Sequence, residues 1–186
     1  MHVLMIYSSR TGNTKQIAEV IENTLKAKRA SVKQVHQEST DLNERQINDL
    51  IKSADVVGLG YWADKGTANT TISELANLET LKDKPIFIFG TIGSDPESEH
   101  GKACYTSVNE AFNASKLLGQ CLCRGKIDPR ITERMKKSQA HPHAMDEKRI
   151  QRHQESMQHP DAKDIENARA FSEELMIRYE ENSNIR

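Results

Sequence analysis

A loop of small hydroxyl residues near the start of the chain has the composition of an anion-binding site. Apart from Arg10, residues 8–14 are Ser8, Ser9, Thr11, Gly12, Asn13 and Thr14. The apolar run before them, residues 3–6, is typical of a strand buried on both faces. A helical pattern follows, with its buried face at Ile17, Ala18, Val20, Ile21, Thr24 and Leu25. The loop is therefore predicted at a helix N-terminus, where unpaired N–H groups and the helix dipole favour a phosphate.

The spacing of this loop differs from the commoner phosphate-binding motifs. A dinucleotide fold requires G-x-G-x-x-G after the first strand, and an NTPase requires G-x-x-x-x-G-K-[ST]; the sequence has neither. What remains is [ST]-x-T-G-x-T at residues 9–14, in which Gly12 permits a close backbone approach. A Ser/Thr-rich turn that only caps the helix is the alternative interpretation.

Alternating strands and helices must position this loop. After the first strand, further strands are predicted at 31–36, 55–61, 86–89 and 117–122, with a short helix through Ile47 and Ile51 and helices at 70–81 and 102–114. Such alternation predicts parallel pairing through right-handed crossovers. We therefore expect an α/β fold, a doubly wound five-stranded parallel sheet of order 2-1-3-4-5, with a ligand crevice beside strand 1.

Three loops follow neighbouring strands of this predicted sheet and should meet at one edge. The first is the hydroxyl loop, the second (62–69) begins with the single tryptophan, Trp62, and the third (90–96) contains two glycines. They offer an anion cradle, an aromatic face and accessible backbone groups, which a flavin phosphate requires. Stacking on Trp62 would contribute about 0.5–1.5 kcal/mol beyond burial. A tryptophan buried in the core is the alternative.

Taken together, the segments YSSRTGNT, GLGYWADKG and FGTIGSDPESEHGK resemble the flavodoxin family. The resemblance is greatest to the branch with a G-Y-W-x-D-K-G loop and a C-x-G-K-I-D-P segment, here residues 123–129. It covers residues 2–130 and the last helix, and it implies the flavodoxin-like sheet order. It also implies noncovalently bound FMN, held by Ser8, Ser9, Arg10, Thr11, Gly12, Asn13, Thr14, Tyr61, Trp62, Ala63, Asp64, Lys65, Gly66, Thr91, Ile92, Gly93, Ser94 and Asp95.

Two features depart from typical flavodoxins. The third loop has Thr91, Ile92 and Gly93 where a second aromatic residue is usual, and the chain is nearly neutral where flavodoxins are usually strongly acidic. A backbone carbonyl near Trp62 or Ala63 is expected to accept a hydrogen bond from the reduced ring. No general base, nucleophile or metal site is identified, so no catalytic residue and no metal ligand is assigned.

The segment before the last helix is predicted to be a helical insertion, residues 128–159, within a single domain spanning 1–186. Between 124 and 152 nine basic residues face four acidic ones. This stretch is interpreted either as a solvated surface or as a docking site for a redox partner. Histidines at 141, 143, 153 and 159 lack the ligand spacing of a metal site. A last helix from Pro160 should bury Ile165, Ala168, Ser172, Leu175, Met176 and Tyr179.

Composition narrows the remaining possibilities. The 186 residues have a formal net charge of −1, which gives no general signal for nucleic acid or membrane surfaces. Cys104, Cys121 and Cys123 are too few and wrongly spaced for a disulfide framework and are predicted to be buried thiols. The chain starts with its first strand and shows no targeting segment or membrane span, so we expect a cytoplasmic location.

Two functions follow from the resemblance. The first is an FMN-binding electron carrier that passes one or two electrons to or from a reductase partner. The alternative is an NAD(P)H-dependent FMN oxidoreductase acting on quinones or similar acceptors. The absence of a second nucleotide fingerprint favours the carrier. A small-molecule sensor on the same fold is a third interpretation, which requires that no flavin bind.

Overall fold

The sheet has the predicted strand order. The computed structural model describes residues 1–82, 84–137 and 147–183. Its strands are β1 (His2–Tyr7), β2 (Ser31–His36), β3 (Val56–Asp64), β4 (Thr67–Ala68), β5 (Pro85–Ile92) and β6 (Lys116–Arg124). All except β4 pair in parallel in the spatial order β2-β1-β3-β5-β6, and β4 pairs antiparallel with the end of β3. Without the two-residue β4, this is the 2-1-3-4-5 order, which is confirmed.

Helices cover both faces of the sheet. They are α1 (Asn13–Ala27), α2 (Glu44–Ser53), α3 (Thr70–Ser73), α4 (Glu99–Ala111), α5 (Pro129–Lys137), α6 (Glu147–Ser156) and α7 (Ala162–Ser183). The continuous helix predicted at 70–81 is wrong. The short α3 gives way to 3-10 turns at Glu74–Asn77 and Glu79–Leu81, because Leu78 between them is extended at φ −74° and ψ 123°.

The strands alternate their side chains between two apolar cores, as their unbroken hydrophobic runs predict. Leu4, Ile6 and Leu59 belong to one core, which includes residues of α2, α3 and α4. Val3, Met5 and Phe87 belong to the other, beneath α1 and α7. In α7, Ala168, Ser172 and Leu175 are buried, while Ile165, Met176 and Tyr179 pack at the edge of that core. None of the helices in the described ranges combines the length and apolarity of a membrane span.

The helix predicted at 102–114 begins earlier than expected. Ser98 caps α4 by accepting a hydrogen bond from the Gly101 N–H at 3.1 Å, so the helix starts at Glu99. Its buried face contains Cys104, Val108 and the following Phe112. The core positions predicted at 103 and 111 are exposed and therefore wrong.

All three cysteines are free and buried, as predicted. Cys121 and Cys123 lie on the same side of β6 with their sulfur atoms 3.7 Å apart. The hydrogen bond with Cys121 and burial raise the pKa of Cys123. A thiol held in its protonated form is a poor nucleophile, so we assign Cys123 a role in packing.

Two strands extend into the predicted loops. β3 continues through Trp62 to Asp64, and β5 continues through Thr91 to Ile92, because Trp62 pairs with Thr91 across the sheet. The second loop is thus a hairpin that turns at Lys65 and Gly66, whose φ angles are 50° and 84°. The pairing of Trp62 with Thr91 fixes the backbone of both residues at the carboxyl edge of the sheet.

Candidate functional site

The hydroxyl loop between β1 and α1 has the geometry of an anion-binding nest. Gly12 occupies the N-cap position of α1 with φ 88° and, as a glycine, supplies no capping side chain of its own. The backbone N–H groups of residues 10–14 donate to no acceptor in the described part of the chain. Unpaired N–H groups at a helix N-terminus bind phosphate well, since they combine hydrogen bonding with the helix dipole.

Hydrogen bonds fix the shape of this loop. The Ser9 Oγ accepts from the Lys15 N–H at 3.0 Å, and the hydroxyls of Thr14 and Thr91 lie 2.9 Å apart. Thr14 also donates to the Tyr61 carbonyl at 3.3 Å. Asn13 donates through Nδ2 to Thr11 Oγ1 at 3.1 Å and to the carbonyl of residue 126 at 2.8 Å. The loop is thereby tied to β3, β5 and the chain after β6.

An internal carboxylate already engages the first donors of the loop. Glu38 accepts hydrogen bonds from the Ser8 hydroxyl and, at 3.1 Å, from the Ser9 N–H. His36 Nε2 lies 2.9 Å from Glu38 Oε2, the oxygen that also accepts from Ser9, and the His36 ring stacks on Tyr7. Burial opposes ionisation of Glu38, but the hydrogen bonds from Ser8 and Ser9 outweigh it and lower the pKa of Glu38. A phosphate in this loop would therefore rely on the later N–H groups.

Trp62 forms one wall of the pocket and is held at both ends. Its indole Nε1 donates to Ser8 Oγ at 3.0 Å, and its backbone N–H and carbonyl pair with Asn69 at 3.3 and 3.1 Å. The side chain is half-buried, and the Arg10 guanidinium lies 4.2 Å from the ring centre. Trp62 thus faces the pocket and lies outside the core.

Residues 125–128, just after β6, form a wall of the pocket that was not predicted from the sequence. The Gly125 N–H donates to the Ile92 carbonyl at 2.8 Å, and a side chain at 125 would crowd Asn13 and Thr91 at 3.1 Å. Ile127 packs directly on Gly93. The signal was present in the sequence, because this segment follows the next strand at the same sheet edge and carries the quoted C-x-G-K-I-D-P motif.

Asp128 at the end of this wall is held in its ionised form. Its carboxylate accepts from the Arg130 Nε and Nη2 at 3.0 and 2.7 Å and from the Arg130 N–H at 2.9 Å. These bonds from Arg130 lower the pKa of Asp128 to about 2. The acid therefore fixes the start of α5.

These elements enclose a pocket of about 210 Å³. Of the predicted site residues, it is lined by Arg10, Thr11, Asn13, Trp62, Ala63, Asp64, Thr91, Ile92 and Gly93. Gly125, Lys126, Ile127, Asp128 and Ile131 complete the lining. Lys65, Gly66 and Ser94 line an adjoining groove.

The remaining predicted residues support the pocket or lie beside it. Ser8, Ser9 and Thr14 are buried beneath the loop, Gly12 caps α1, and Asp95 is exposed and accepts a hydrogen bond from the Glu97 N–H at 2.9 Å. The Tyr61 side chain lies in the core, where its hydroxyl accepts from Gln120 at 3.2 Å and burial raises the pKa of Tyr61. Only the backbone of Tyr61 contacts the loop, through its carbonyl.

One histidine of the predicted insertion, His159, lies beside two carboxylates. Residues 141 and 143 lie outside the described ranges. His159, Asp161 and Asp164 come close together, with ligand atoms within 4.8 Å of one another. Hydrogen bonds to Asp164 account for this proximity. Its carboxylate accepts from His159 at 2.6 Å and from the N–H groups of Asp161 and Arg124 at 2.9 Å.

The donor set fits FMN. The open N–H groups of residues 10–14 suit a phosphate monoester, Trp62 offers an aromatic wall, and Thr91 and Gly125 line the same pocket. A doubly wound sheet with this site at its carboxyl edge defines an FMN-binding α/β protein of the flavodoxin type.

Comparison with known proteins places the chain in the flavodoxin family. A family model described as "Flavodoxin domain" matches residues 4–173, and the chain belongs to that family. It is 30% identical over 189 residues to the flavodoxin-like domain-containing protein BilS of Clostridioides difficile, covering 96% of this chain and 98% of that protein. The fold also resembles a Streptococcus flavodoxin at 19% identity and TM-score 0.57, covering 96% and 99% of the two chains. A flavodoxin from the domain Archaea, at 16% identity, also has TM-score 0.57 over 97% and 99%.

Proposed function

We propose that the protein is an electron carrier that passes one or two electrons between FMN and a reductase or oxidoreductase partner. The single observation that supports it best is the unpaired N–H nest of residues 10–14 beside the wall formed by Trp62. FMN supplies the redox chemistry when bound. The pocket residues bind and orient it, and Asp128 is already committed to Arg130.

Each part of the pocket has a distinct task in this proposal. The N–H nest holds the phosphate, and the Ser8 hydroxyl fixes the indole of Trp62. Positive charges on the pocket wall, from Arg10 and Lys126, favour uptake of electrons by a neighbouring ring because they stabilise added negative charge. The Trp62 carbonyl already accepts a hydrogen bond from the Asn69 N–H. The Ala63 carbonyl is therefore the better candidate to accept a hydrogen bond from a reduced ring.

The docking partner is proposed to present an acidic surface. The stretch with more basic than acidic residues has exposed cations at two places. Lys126 and Arg130 lie near the pocket wall, and Lys148 lies on α6. Exposed charges steer association and act mainly on its rate. Lys148→Glu, on α6 and outside the flavin pocket, should slow electron transfer to the partner and flatten its dependence on ionic strength.

Anaerobic mixing with NADPH tests the carrier role. The FMN-loaded protein should keep its visible absorbance with NADPH alone and bleach only when a reductase is added. Rapid bleaching by NADPH alone contradicts a pure carrier and supports the alternative, an NAD(P)H-dependent oxidoreductase. Failure to bind FMN, measured by titration of the flavin absorbance, would remove both.

A further inference from the structure

A second and larger concavity, which we call the basic groove, adjoins the flavin pocket. Its volume is about 1020 Å³, and it lies between the hairpin turn at Lys65, helix α5, helix α6 and the start of α4. Ala63, Ile92, Gly93, Ile127 and Ile131 line both concavities, so the groove opens directly beside the flavin pocket.

The charge of the groove is one-sided. Lys65, Arg134, Arg149 and Arg152 line it together with His100 and His153, and none of the described residues that line it is acidic. Arg149 has a partner of its own. By contrast, Lys65, Arg134 and Arg152 form no ion pair within the described ranges, although the neighbouring Arg124 and Arg130 are both paired. Lys65, Arg134 and Arg152 therefore remain available to a ligand.

Its floor is apolar and contains an unused polar group. Ile92, Ile127, Ile131 and Met135 supply the apolar surface. Ser94, another lining residue, is 7% exposed, and its hydroxyl has no hydrogen-bond partner among the residues described. Buried hydroxyls are normally satisfied, so this one marks a position where a polar ligand atom would be favourable.

We propose that the basic groove binds a small organic anion. Its phosphate, sulfonate or carboxylate would pair with Arg134 and Arg152, and its apolar body would lie on the isoleucines beside the flavin pocket. A concave site of this size with an apolar floor and a few convergent charges is typical of small-molecule sites. The proposal deepens the proposed function because it identifies the class of ligand that can reach the flavin, but binding itself does not require FMN.

A fluorescent organic anion provides the test. Titration of 8-anilinonaphthalene-1-sulfonate into FMN-free and FMN-loaded protein should give saturable fluorescence enhancement. Arg134→Ser with Arg152→Ser should weaken its binding at least tenfold. The matched control, Arg45→Ser with Lys116→Ser, removes two exposed charges from α2 and from the start of β6, outside the groove, and should leave binding unchanged. Circular dichroism and thermal melting check that both variants fold.

Competition identifies the source of the anion. Displacement of the dye by NADPH assigns the groove to a nicotinamide nucleotide, and displacement by an aromatic carboxylate such as benzoate, but not by NADPH, assigns it to organic acids. Equal losses in both double variants, or displacement by inorganic phosphate as effective as that by the organic anions, would overturn the proposal. FMN absorbance titrations on the same samples distinguish failure of the groove proposal from failure of the proposed function. If the dye does not bind but FMN does, only the proposal for the basic groove is contradicted.

Discussion

The guanidinium of Arg10 stacks over the indole of Trp62, with its central carbon 4.2 Å from the ring centre. A cation over an aromatic face contributes about 0.5–1 kcal/mol at an exposed site. Trp62 is also fixed by its hydrogen bond to Ser8, so two residues of the hydroxyl loop, Ser8 and Arg10, orient the aromatic wall. The phosphate loop and the ring wall therefore act as one unit.

Removing the aromatic wall should weaken binding of the flavin ring. Trp62→Ala is expected to cost about 1 kcal/mol or more, roughly fivefold in the dissociation constant, because stacking and apolar contact are lost. Trp62→Phe keeps an aromatic face and should lose less. Both FMN and riboflavin contain the ring, so calorimetric titration should show similar losses for the two ligands. A loss confined to FMN would show that Trp62 acts on the phosphate and not on the ring.

Neutralising Glu38 should have the opposite effect and should depend on the phosphate. The Glu38 carboxylate engages Ser8 and Ser9, so its negative charge lies beside the place where the N–H nest would hold a phosphate. Glu38→Gln retains an acceptor but removes the charge. We expect FMN to bind about threefold to tenfold more tightly, because repulsion of about 1 kcal/mol between the carboxylate and the phosphate is removed. Fluorescence titration measures the change.

Riboflavin and a distant variant serve as controls for Glu38. Riboflavin lacks the phosphate, so its affinity should not change in Glu38→Gln. Glu44→Gln, at the exposed start of α2, should leave both affinities unchanged. Equal tightening of FMN and riboflavin would mean that the substitution loosens Trp62 through Ser8, and the charge argument would be wrong.

The sheet and the position of the site were predictable because they depend on local patterns. Unbroken apolar runs in β1, β3 and β5 identify strands buried on both faces, and the alternation with helices sets the parallel order. The Thr11 to Thr14 motif places the loop at the start of α1. These features need only neighbouring residues.

The features that were missed depend on contacts between distant parts of the chain. Glu38 reaches Ser8 and Ser9 across 30 and 29 positions, and Asn13 bonds to residue 126 across 113. Periodicity does not encode such pairings. The pairing of Trp62 with Thr91 likewise extends β3 and β5 beyond their apolar runs, which is why residues expected in loops lie in strands. The helix expected at 70–81 is interrupted by the extended Leu78, whose side chain packs against the core, and periodicity does not reveal that contact.

The ion pair at the pocket wall makes stability dependent on pH. Asp128 has a folded-state pKa of about 2, below its ordinary value of 3.8, with the hydrogen bonds from Arg130 as the main cause. A lowered folded pKa stabilises the protein above pH 3.8, and this stabilisation is lost as the pH falls towards 2. Arg130→Ala should raise the pKa of Asp128, measured by NMR titration of its carboxyl carbon.

The stability of the same variant checks the sign. Thermal unfolding of Arg130→Ala should occur below that of the wild type at pH 7, and the difference should shrink as the pH falls below 3.8. Arg45→Ala is the matched control, since Arg45 lies on α2 and is not among the groups that shift the pKa of Asp128. A difference that grows in acid would contradict the assignment.

Gly12 should be the position in the phosphate loop most sensitive to a small substitution. Its φ of 88° lies in the left-handed region, and a Cβ there would meet nothing within 4 Å, so the cost of a side chain is backbone strain alone. Gly12→Ala should therefore lower the free energy of unfolding by about 1–2 kcal/mol. Gly12→Asn should cost less, because asparagine tolerates this conformation better. Urea denaturation without FMN measures both. Equal stability of Gly12→Ala and Gly12→Asn would show that the alanine variant has relaxed to negative φ. The turn that aligns the N–H groups of residues 10–14 would then be lost, and Gly12→Ala should bind FMN more weakly than Gly12→Asn.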